Sequence, residues 1–383
     1  MTQDSGLRTQ DSGLRTQDSG LRTQDSGLRT NYALMKYRSL NIGDEIQSIA
    51  ASRFLPHIDD YVFREHLDSF RVGSRTNFKT ILNGWYMHCP KHFPPSEAID
   101  PLLVSVHFDR GIRKFIAGSK ASMNYLRQYG PVGCRDTDTM HFLLEHDVPA
   151  YHSGCMTLTL TENKTLKSNR KDEYILCVDV PDEIVENVRS RTNKPVHRLT
   201  KTVNPHVESL DRLELAKIYL YVYHNASAVI TSNLHTTLPC LAFNVPVCLV
   251  ADNDGDGRFC GLDTLVHHCT TSDFVSRKVY DINNPPENPQ DFTVFRDALV
   301  ETCRNFTGYD SGQPVFEDDY TPDVLRMLQI MQYNPEGAKK GLFWVSGQNL
   351  LRAAMVKAWH KFLPPATRLN QSYEYNCYER YLK

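Results

Sequence analysis

The sequence predicts an α/β protein of two domains. From Ala33 onward, short β-rich apolar segments alternate with segments of helical periodicity, which is typical of a mostly parallel sheet covered by helices. At 383 residues, the chain is also longer than a single hydrophobic core usually supports. A cleft between the two domains is therefore expected.

The composition excludes several classes of protein. The 40% hydrophobic and 23% charged residues are typical of a globular chain. Lys and Arg total 43 against 45 Asp and Glu, so no global charge favours nucleic acid. The ten cysteines contain neither a C-x-x-C pair nor a Cys/His cluster with zinc spacing, and several lie in apolar runs. We therefore expect reduced thiols and no metal site.

Residues 1–30 are expected to be a disordered tail. The heptapeptide TQDSGLR occurs four times there, with one Leu per repeat, whereas a coiled coil needs two apolar positions per heptad. No apolar run reaches the roughly 18 residues of a membrane-spanning helix. We expect a soluble, cytoplasmic protein without stable membrane insertion, although the repeat stands where a secretory signal would be and leaves the compartment open.

The N-terminal domain is expected over residues 31–170. Its predicted strands lie at Ala33–Tyr37, Thr80–Asn83 and Leu102–Val106 and around Val132, and its predicted helices at Asp44–Arg53 and Thr137–Glu145. The stretch Thr161–Lys171 is polar, charged and aperiodic, so it is the expected linker between the domains.

The C-terminal domain is expected over residues 171–282. Its predicted elements are the strand Tyr174–Val178, the helix Asp211–Tyr223, the strand Ala228–Ile230, a helix beginning near Leu234 and the strand Val247–Val250. The last three form a βαβ unit. Residues 283–383 are expected to be a Pro-rich linker and a helical extension that includes the amphipathic segment Leu342–Phe362.

The segment TSNLH follows a predicted strand and begins a helix. In open α/β sheets, ligands bind beyond the carboxyl ends of the strands, where helix N-termini present unpaired N–H groups. Ser232 is the expected N-cap, and the amides of Asn233, Leu234 and His235 would face the cleft as an anion site. His235 is the titratable group there; the alternative is a histidine that merely stands at a helix start.

Two further strand-to-helix turns have the same placement. In GCRD, Asp136 is the expected cap and Arg135 can hold a carboxylate or phosphate, unless it only packs between the domains. In NIGDE, Asn41, Gly43 and Asp44 form a predicted cleft loop, where Gly43 allows close approach of the backbone to a ligand.

The loop DNDGDG at Asp252–Gly257 imitates the start of an EF-hand calcium loop. A strand rather than a helix precedes it, and Asp263 replaces the bidentate Glu that such loops require. We prefer a solvated loop that presents Arg258 to the cleft. The alternative, a calcium-binding module at Asp252–Asp263, predicts stabilisation by calcium alone.

Taken together, these motifs resemble the polysaccharide pyruvyl transferase family. The matching text, in the family's order over about Tyr37–Thr270, is SLNIGDEIQSIAASRFLP, ILNGWYMH, PVGCRDTDT, YHSGCMTLTL, ASAVITSNLHTTLPCLAFNVPVCLV and RFCGL. The resemblance implies two Rossmann-like domains facing a cleft, similar to GT-B glycosyltransferases. It also implies transfer of an enolpyruvyl unit from phosphoenolpyruvate to a sugar or glycan as a ketal.

The resemblance also implies roles for individual residues. His235 corresponds to the catalytic histidine, a general acid/base, and Arg135 and Leu234 lie where donor contacts are expected, with Arg258 as a further candidate. The helix N-terminus at Ser232 completes the expected donor site. Phosphoenolpyruvate is a co-substrate, and the implied chemistry requires no metal or nicotinamide cofactor.

The sequence departs from the family pattern at Asn233. Family members usually carry Arg two residues before the histidine, and asparagine can donate hydrogen bonds but brings no charge. The departure keeps two alternatives open. One is a GT-B-like glycosyltransferase that uses a nucleotide sugar, and the other is an inactive, sugar-binding family member.

Overall fold

The computed structural model describes residues 29–70, 77–164, 174–204, 209–252, 257–316 and 324–331. Within these ranges the strands are β1 (Asn31–Lys36), β2 (Asp60–Phe63), β3 (Phe78–Tyr86), β4 (Ile99–Phe108), β5 (Val132–Cys134), β6 (Ala150–His152), β7 (Ile175–Val178), β8 (Val196–Leu199), β9 (Ala228–Thr231), β10 (Val247–Val250) and β11 (His267–Cys269). The α-helices are α1 (Gly43–Ser52), α2 (Arg113–Gly118), α3 (Lys120–Gln128), α4 (Thr137–Leu144), α5 (Asp182–Arg191), α6 (Ser209–Asn225), α7 (Leu234–Ala242), α8 (Phe292–Thr307) and α9 (Val324–Met331).

The strands form two sheets in which every pairing is parallel, so the predicted α/β fold with parallel sheets is confirmed. The first sheet has the order β2-β1-β3-β4-β5-β6, and the second has the order β11-β10-β9-β7-β8. In the first sheet, Ala33 of β1 lies opposite Asp60 on one side and Thr80 on the other. Parallel pairing places the carboxyl ends of the strands at one edge of each sheet.

The seven predicted strands coincide with β1, β3, β4, β5, β7, β9 and β10, and the predicted helices coincide with α1, α4, α6 and α7. Sequence patterns did not identify β2, β6, β8 or β11, nor the helices α2, α3 and α5. Residues 1–28, most of the predicted linker and the segment Leu342–Phe362 lie outside the described residues. Among the described helices, none combines the length and apolar character needed to cross a membrane.

Helix α1 packs between the two sheets. Every residue of α1 from Gly43 to Ala51 is buried, because α1 contacts β1 and β3 on one side and α6 and α7 on the other. Ile42 and Ile46 share one continuous apolar cluster with Tyr219 and Leu238 of the second sheet's helices. Each fully buried side chain of this size stabilises the fold by roughly 1.5–3 kcal/mol. A common core thus joins the two sheets.

A buried ion pair also joins the two sheets. Arg212 of α6 contacts Glu45 of α1 with both ends of its guanidinium, at 2.6 Å from Nε to Oε1 and 3.0 Å from Nη2 to Oε2. Nη2 also donates to the carbonyl of Ser39 at 2.8 Å. The Arg212 side chain is 0% exposed and that of Glu45 2%. This geometry satisfies a buried carboxylate that would otherwise destabilise the fold.

Backbone hydrogen bonds connect the same two parts of the chain. The N–H of Ile42 donates to the carbonyl of Lys201 at 3.0 Å, and the N–H of Val203 donates to the carbonyl of Leu40 at 2.8 Å. Asn41 and Thr202 form an antiparallel bridge between these bonds. We call this pairing of residues 40–42 with residues 201–203 the backbone bridge.

Candidate active site

A cavity of about 260 Å³ lies where the carboxyl ends of strands from both sheets meet. Its lining residues follow β1, β5, β8, β9 and β10 or lie near the end of β3. Eight of the residues predicted from the sequence line it, namely Asn41, Asp44, Arg135, Ser232, Asn233, Leu234, His235 and Arg258. The sequence patterns did not identify six others, namely Ser39, Leu40, Trp85, His88, Lys201 and Phe259.

Arg135 is buried at the end of β5 and lines the cavity with its guanidinium. The residue is only 1% exposed, and its backbone N–H donates to the carbonyl of Val106 at 2.8 Å. Nε and Nη2 are buried without a hydrogen-bond partner among the described residues, and the nearest carboxylate oxygen, of Asp136, is 3.7 Å from Nε. Unsatisfied buried donors are costly, above all charged ones, so this guanidinium favours an anion in the cavity.

The carboxylate of Asp136 is hydrogen-bonded to other groups, and for this reason Arg135 does not form a close ion pair with it. Oδ1 accepts from the N–H of Thr139 at 2.8 Å and caps α4, which confirms the predicted cap. Oδ2 lies 2.6 Å from Nδ1 of His107. Burial raises the pKa of Asp136, but the hydrogen bond from His107 and the charge of Arg135 bring it below its ordinary value.

His235 stands in the first turn of α7, in the wall of the cavity. Its side chain is buried, and Nε2 has no hydrogen-bond partner among the described residues. Burial holds the pKa of His235 well below its ordinary value, and the positive charge of Arg135 adds to this effect, while Asp44 opposes it. The imidazole is therefore neutral at pH 7 in the protein alone.

Gly43 lies directly against His235. A Cβ atom on Gly43 would stand 2.6 Å from Nδ1 and 2.7 Å from Cβ of His235, closer than real Cβ contacts. The N–H of Gly43 donates to Oδ1 of Asn41 at 3.0 Å, which fixes the turn into α1. The sequence predicts a close approach of the Gly43 backbone to a ligand, whereas the structure places Gly43 outside the cavity lining and against the His235 side chain. This contact brings the N-termini of α1 and α7 together.

We predict that Gly43→Ala destabilises the protein by about 1–3 kcal/mol, because the added methyl group must displace His235 in a packed interior. Gly118 of α2 is a matched control, since a Cβ there would meet nothing within 4 Å. Gly118→Ala should be neutral or slightly stabilising. Chemical unfolding of both variants measures the difference. Equal stability of the two would contradict the contact between Gly43 and His235.

Asp44 is the carboxylate of the cavity wall. Its Oδ2 accepts from the Ser39 hydroxyl at 2.6 Å and from Nη1 of Arg64 at 3.0 Å. Burial raises the pKa of Asp44, but Arg64 and Ser39 offset this and hold the pKa below its ordinary value. The guanidinium of Arg64 lies 5.0 Å from the ring centroid of Trp85, so the same cation supports both Asp44 and the indole.

The prediction that Ser232 caps α7 is wrong. The N-cap is Asn233, whose carbonyl accepts from the N–H of Thr237 at 3.0 Å, and Ser232 Oγ instead donates to the carbonyl of Asp179 at 2.7 Å. Ser232 precedes the N-cap residue by one position, and its hydroxyl therefore reaches the turn after β7 and not the N–H groups of α7. The Asn233 side chain makes no cap bond either, so the first N–H groups of α7, at Leu234 and His235, have no intrahelical or side-chain cap partner.

Arg258 and Phe259 reach the cavity from the chain between β10 and β11. The carbonyl of Cys260, next to them, accepts from the N–H of Thr137 at 3.1 Å, which fixes this segment on the start of α4. Asp252 accepts from the N–H and the hydroxyl of Thr271, both at 2.6 Å. Residues 253–256 lie outside the described residues, so the expected solvated loop and the calcium-binding alternative both stay untested there.

Trp85 and His88 carried a sequence signal that the prediction did not use. Both lie in ILNGWYMH, at the end of β3, and their rings are 4.6 Å apart. Side chains at the carboxyl end of a parallel strand lie where ligands bind in open α/β sheets. Lys201 follows the half-exposed strand β8 and carried no such signal.

Comparison with known proteins gives one family match. The model described as "Polysaccharide pyruvyl transferase" matches residues 111–254, a segment that contains Arg135 and His235. No protein of curated function matches the sequence.

Solved structures resemble the chain only distantly. An uncharacterised protein of Klebsiella pneumoniae is 13% identical, with a TM-score of 0.40, over 60% of this chain and 87% of that one. A UDP-GlcNAc 2-epimerase of Methanocaldococcus jannaschii is 10% identical, with a TM-score of 0.32, over 80% of this chain and 100% of that one. Over residues 111–254 the chain matches the polysaccharide pyruvyl transferase family, and the resemblance predicted from its motifs is confirmed.

Proposed function

We propose that this protein transfers an enolpyruvyl unit from phosphoenolpyruvate to a sugar or glycan and forms a pyruvate ketal. The family match supports a glycan-modifying transferase. One observation carries the choice of donor. The buried guanidinium of Arg135, with two unpaired nitrogens, lines the same cavity as the N-terminus of α7 and the imidazole of His235.

The donor carries a carboxylate and a phosphate, and the cavity has a group for each. Arg135 can hold one anion through two parallel N–H bonds, and the N–H groups of Leu234 and His235 can hold the other. Lys201 and Arg258 add positive charge to the same wall. Ser232 and Asn233 are bonded to Asp179 through their side chains, so we propose that they act through the backbone.

His235 is the proposed general acid. A protonated imidazole gives its proton to the methylene carbon of the donor, and the central carbon becomes electrophilic. A sugar hydroxyl adds to that carbon and loses its proton to a base of the cavity. A second hydroxyl then forms a bond to the same carbon as the carbon–oxygen bond to the phosphate breaks, and its proton leaves with the phosphate as hydrogen phosphate. The products are the pyruvate ketal and inorganic phosphate, and the reaction requires no further cofactor.

The low pKa of His235 predicts a proton uptake when the donor binds. The anion opposes the field of Arg135, which is part of the cause of the low pKa, so binding should raise the pKa of His235. A pKa that is higher in the complex means that protons are taken up and that affinity falls as the pH rises. Calorimetry in buffers of different ionisation enthalpy measures the uptake. An equal uptake in His235→Gln would contradict the assignment.

The test of the proposed function is thermal unfolding and calorimetry with phosphoenolpyruvate, with UDP- and GDP-sugars and with calcium, each separately. Phosphoenolpyruvate at 100 times its Kd should stabilise the wild type by about 2.7 kcal/mol. Arg135→Ala should abolish this shift, and Arg135→Lys should retain part of it, because lysine keeps the charge but loses the paired geometry. Arg189→Ala, at an exposed arginine of α5, is the control.

A shift with phosphoenolpyruvate that depends on Arg135 supports the donor and justifies an acceptor screen for phosphate release. A shift with a nucleotide sugar alone would favour the glycosyltransferase alternative. A shift with calcium alone would favour the calcium module. Donor binding without phosphate release from any glycan pool would favour an inactive family member in which Asn233 replaces the usual arginine.

We also propose a GT-B-like arrangement of the two sheets. Residues 31–170 form the acceptor side and contribute Arg135, and residues 171–282 form the donor side with His235. The proposed partners are phosphoenolpyruvate and a sugar or glycan, in the cytoplasm.

A further inference from the structure

Asp179 has a left-handed backbone conformation next to the cavity. It follows β7 directly and has a φ of 52°, in the left-handed region. Among residues other than glycine, aspartate and asparagine adopt this conformation most readily, because their short side chains can hydrogen-bond to nearby groups. The N–H of Asp179 donates to the carbonyl of Leu199 at 3.1 Å, which holds the turn between β7 and β8.

In this turn Asp179 bonds to three residues that line the cavity. Its Oδ2 accepts from Nδ2 of Asn233 at 2.7 Å and from the N–H of Lys201 at 3.1 Å. Its carbonyl accepts from the hydroxyl of Ser232 at 2.7 Å. A single residue at the end of a central strand thus holds two loops of the cavity wall.

Both loops lead to His235. Asn233 is the N-cap of α7, so its bond to Asp179 fixes the turn in which His235 stands. Lys201 accepts from the N–H of Ile42 through its carbonyl, and the residue after Ile42 is Gly43, which lies against His235. The Asp179 carboxylate therefore ties together the two surfaces that enclose the imidazole.

We infer that Asp179 is the positioning residue of His235, acting through Asn233 on one side and Lys201 on the other. The inference rests on the proposed function only for what His235 does. The inference also gives Asn233 a role that differs from that of the arginine usually found at this position. The Asn233 amide serves the geometry of the helix start, and the cationic contact to the donor comes from Arg135.

Three substitutions separate positioning from simple turn stability. Asp179→Gly removes the carboxylate and accepts the positive φ without strain. Asp179→Asn also tolerates this φ and keeps an oxygen acceptor. Because Oδ2 alone accepts both hydrogen bonds, the amide oxygen of asparagine can take the place of Oδ2. Asp147→Gly is the matched control, because Asp147 also has a positive φ, 56°, but is exposed in the turn after α4.

We expect Asp179→Gly to unfold within a few degrees of Asp147→Gly and to lower kcat at least tenfold, with a smaller change in the KM for phosphoenolpyruvate. Asp179→Asn should restore most of kcat. NMR spectra of histidine-labelled protein give a readout without turnover. The ring signal that disappears in His235→Gln should shift in Asp179→Gly and keep its position in Asp179→Asn and Asp147→Gly.

An unshifted His235 signal in Asp179→Gly overturns the inference. A shift in Asp179→Asn as large as in Asp179→Gly also overturns it, because the acceptor oxygen is then not what matters. A wild type without turnover on any acceptor would count against the proposed function alone, since the His235 signal still reports its position. A shifted signal with unchanged kcat would show that His235 is positioned by Asp179 but is not catalytic.

Discussion

Substitution of His235 by glutamine should lower turnover by about 10²–10⁴-fold, the range that a general acid/base contributes. Phosphoenolpyruvate should still bind, because Arg135 and the N-terminus of α7 remain. The fold should persist, since Nε2 of His235 makes no hydrogen bond among the described residues that the variant would break. Phosphate release and calorimetry on the same sample separate the two effects.

A second histidine serves as the control. His197 on β8 is half-buried, whereas His235 is buried; burial lowers the pKa of His197 as well, but His197 does not line the cavity. His197→Gln should turn over at the wild-type rate. If His235→Gln retained full activity, the acid/base role would have to move to another group of the cavity. If it lost donor binding as well, His235 would be a binding residue instead.

The substitution Arg212→Ala should have the largest effect on stability. It leaves Glu45 without its ion-pair partner in a site where the carboxylate is 2% exposed, and breaking a buried pair in this way costs about 3–5 kcal/mol. For a protein of this size the unfolding temperature should fall by about 5 °C. Differential scanning calorimetry measures the change.

The double variant tests whether the pairing itself is the cause. Glu45→Gln with Arg212→Met removes both charges and should recover most of the stability that Arg212→Ala loses. Arg189→Ala, which breaks an exposed pair with Glu186, should change stability by less than about 1 kcal/mol. If Arg212→Ala were as mild as Arg189→Ala, the ion pair would not hold the sheets together.

The strands that the sequence predicted and those that it missed differ in position. All seven predicted strands are interior strands, while β2, β6, β8 and β11 are the four edges of the two sheets. Interior strands of a parallel sheet are buried on both faces and read as apolar runs, as in AVIT of β9. Edge strands are short and half-exposed, so VHRL of β8 resembles a loop.

The sequence predicted those residues of the candidate site that lie in a turn between a strand and a helix. Arg135 and His235 each follow a strand end and begin a helix, which is a pattern of neighbouring residues. The contact of Gly43 with His235 joins positions 192 residues apart, and no local pattern contains it. The same holds for the bond between Asp179 and Asn233, which depends on β7 and β9 being neighbours in the sheet.

The backbone bridge has a consequence for how the protein is made. Residues 40–42 leave the ribosome long before residues 201–203, and His235 follows later still, so the walls of the cavity are synthesised far apart in time. A chain that stops before α7 has Arg135 and Gly43 but lacks the histidine. Chains that stop before α7 therefore lack the proposed acid/base group, even though both partners of the backbone bridge are already present.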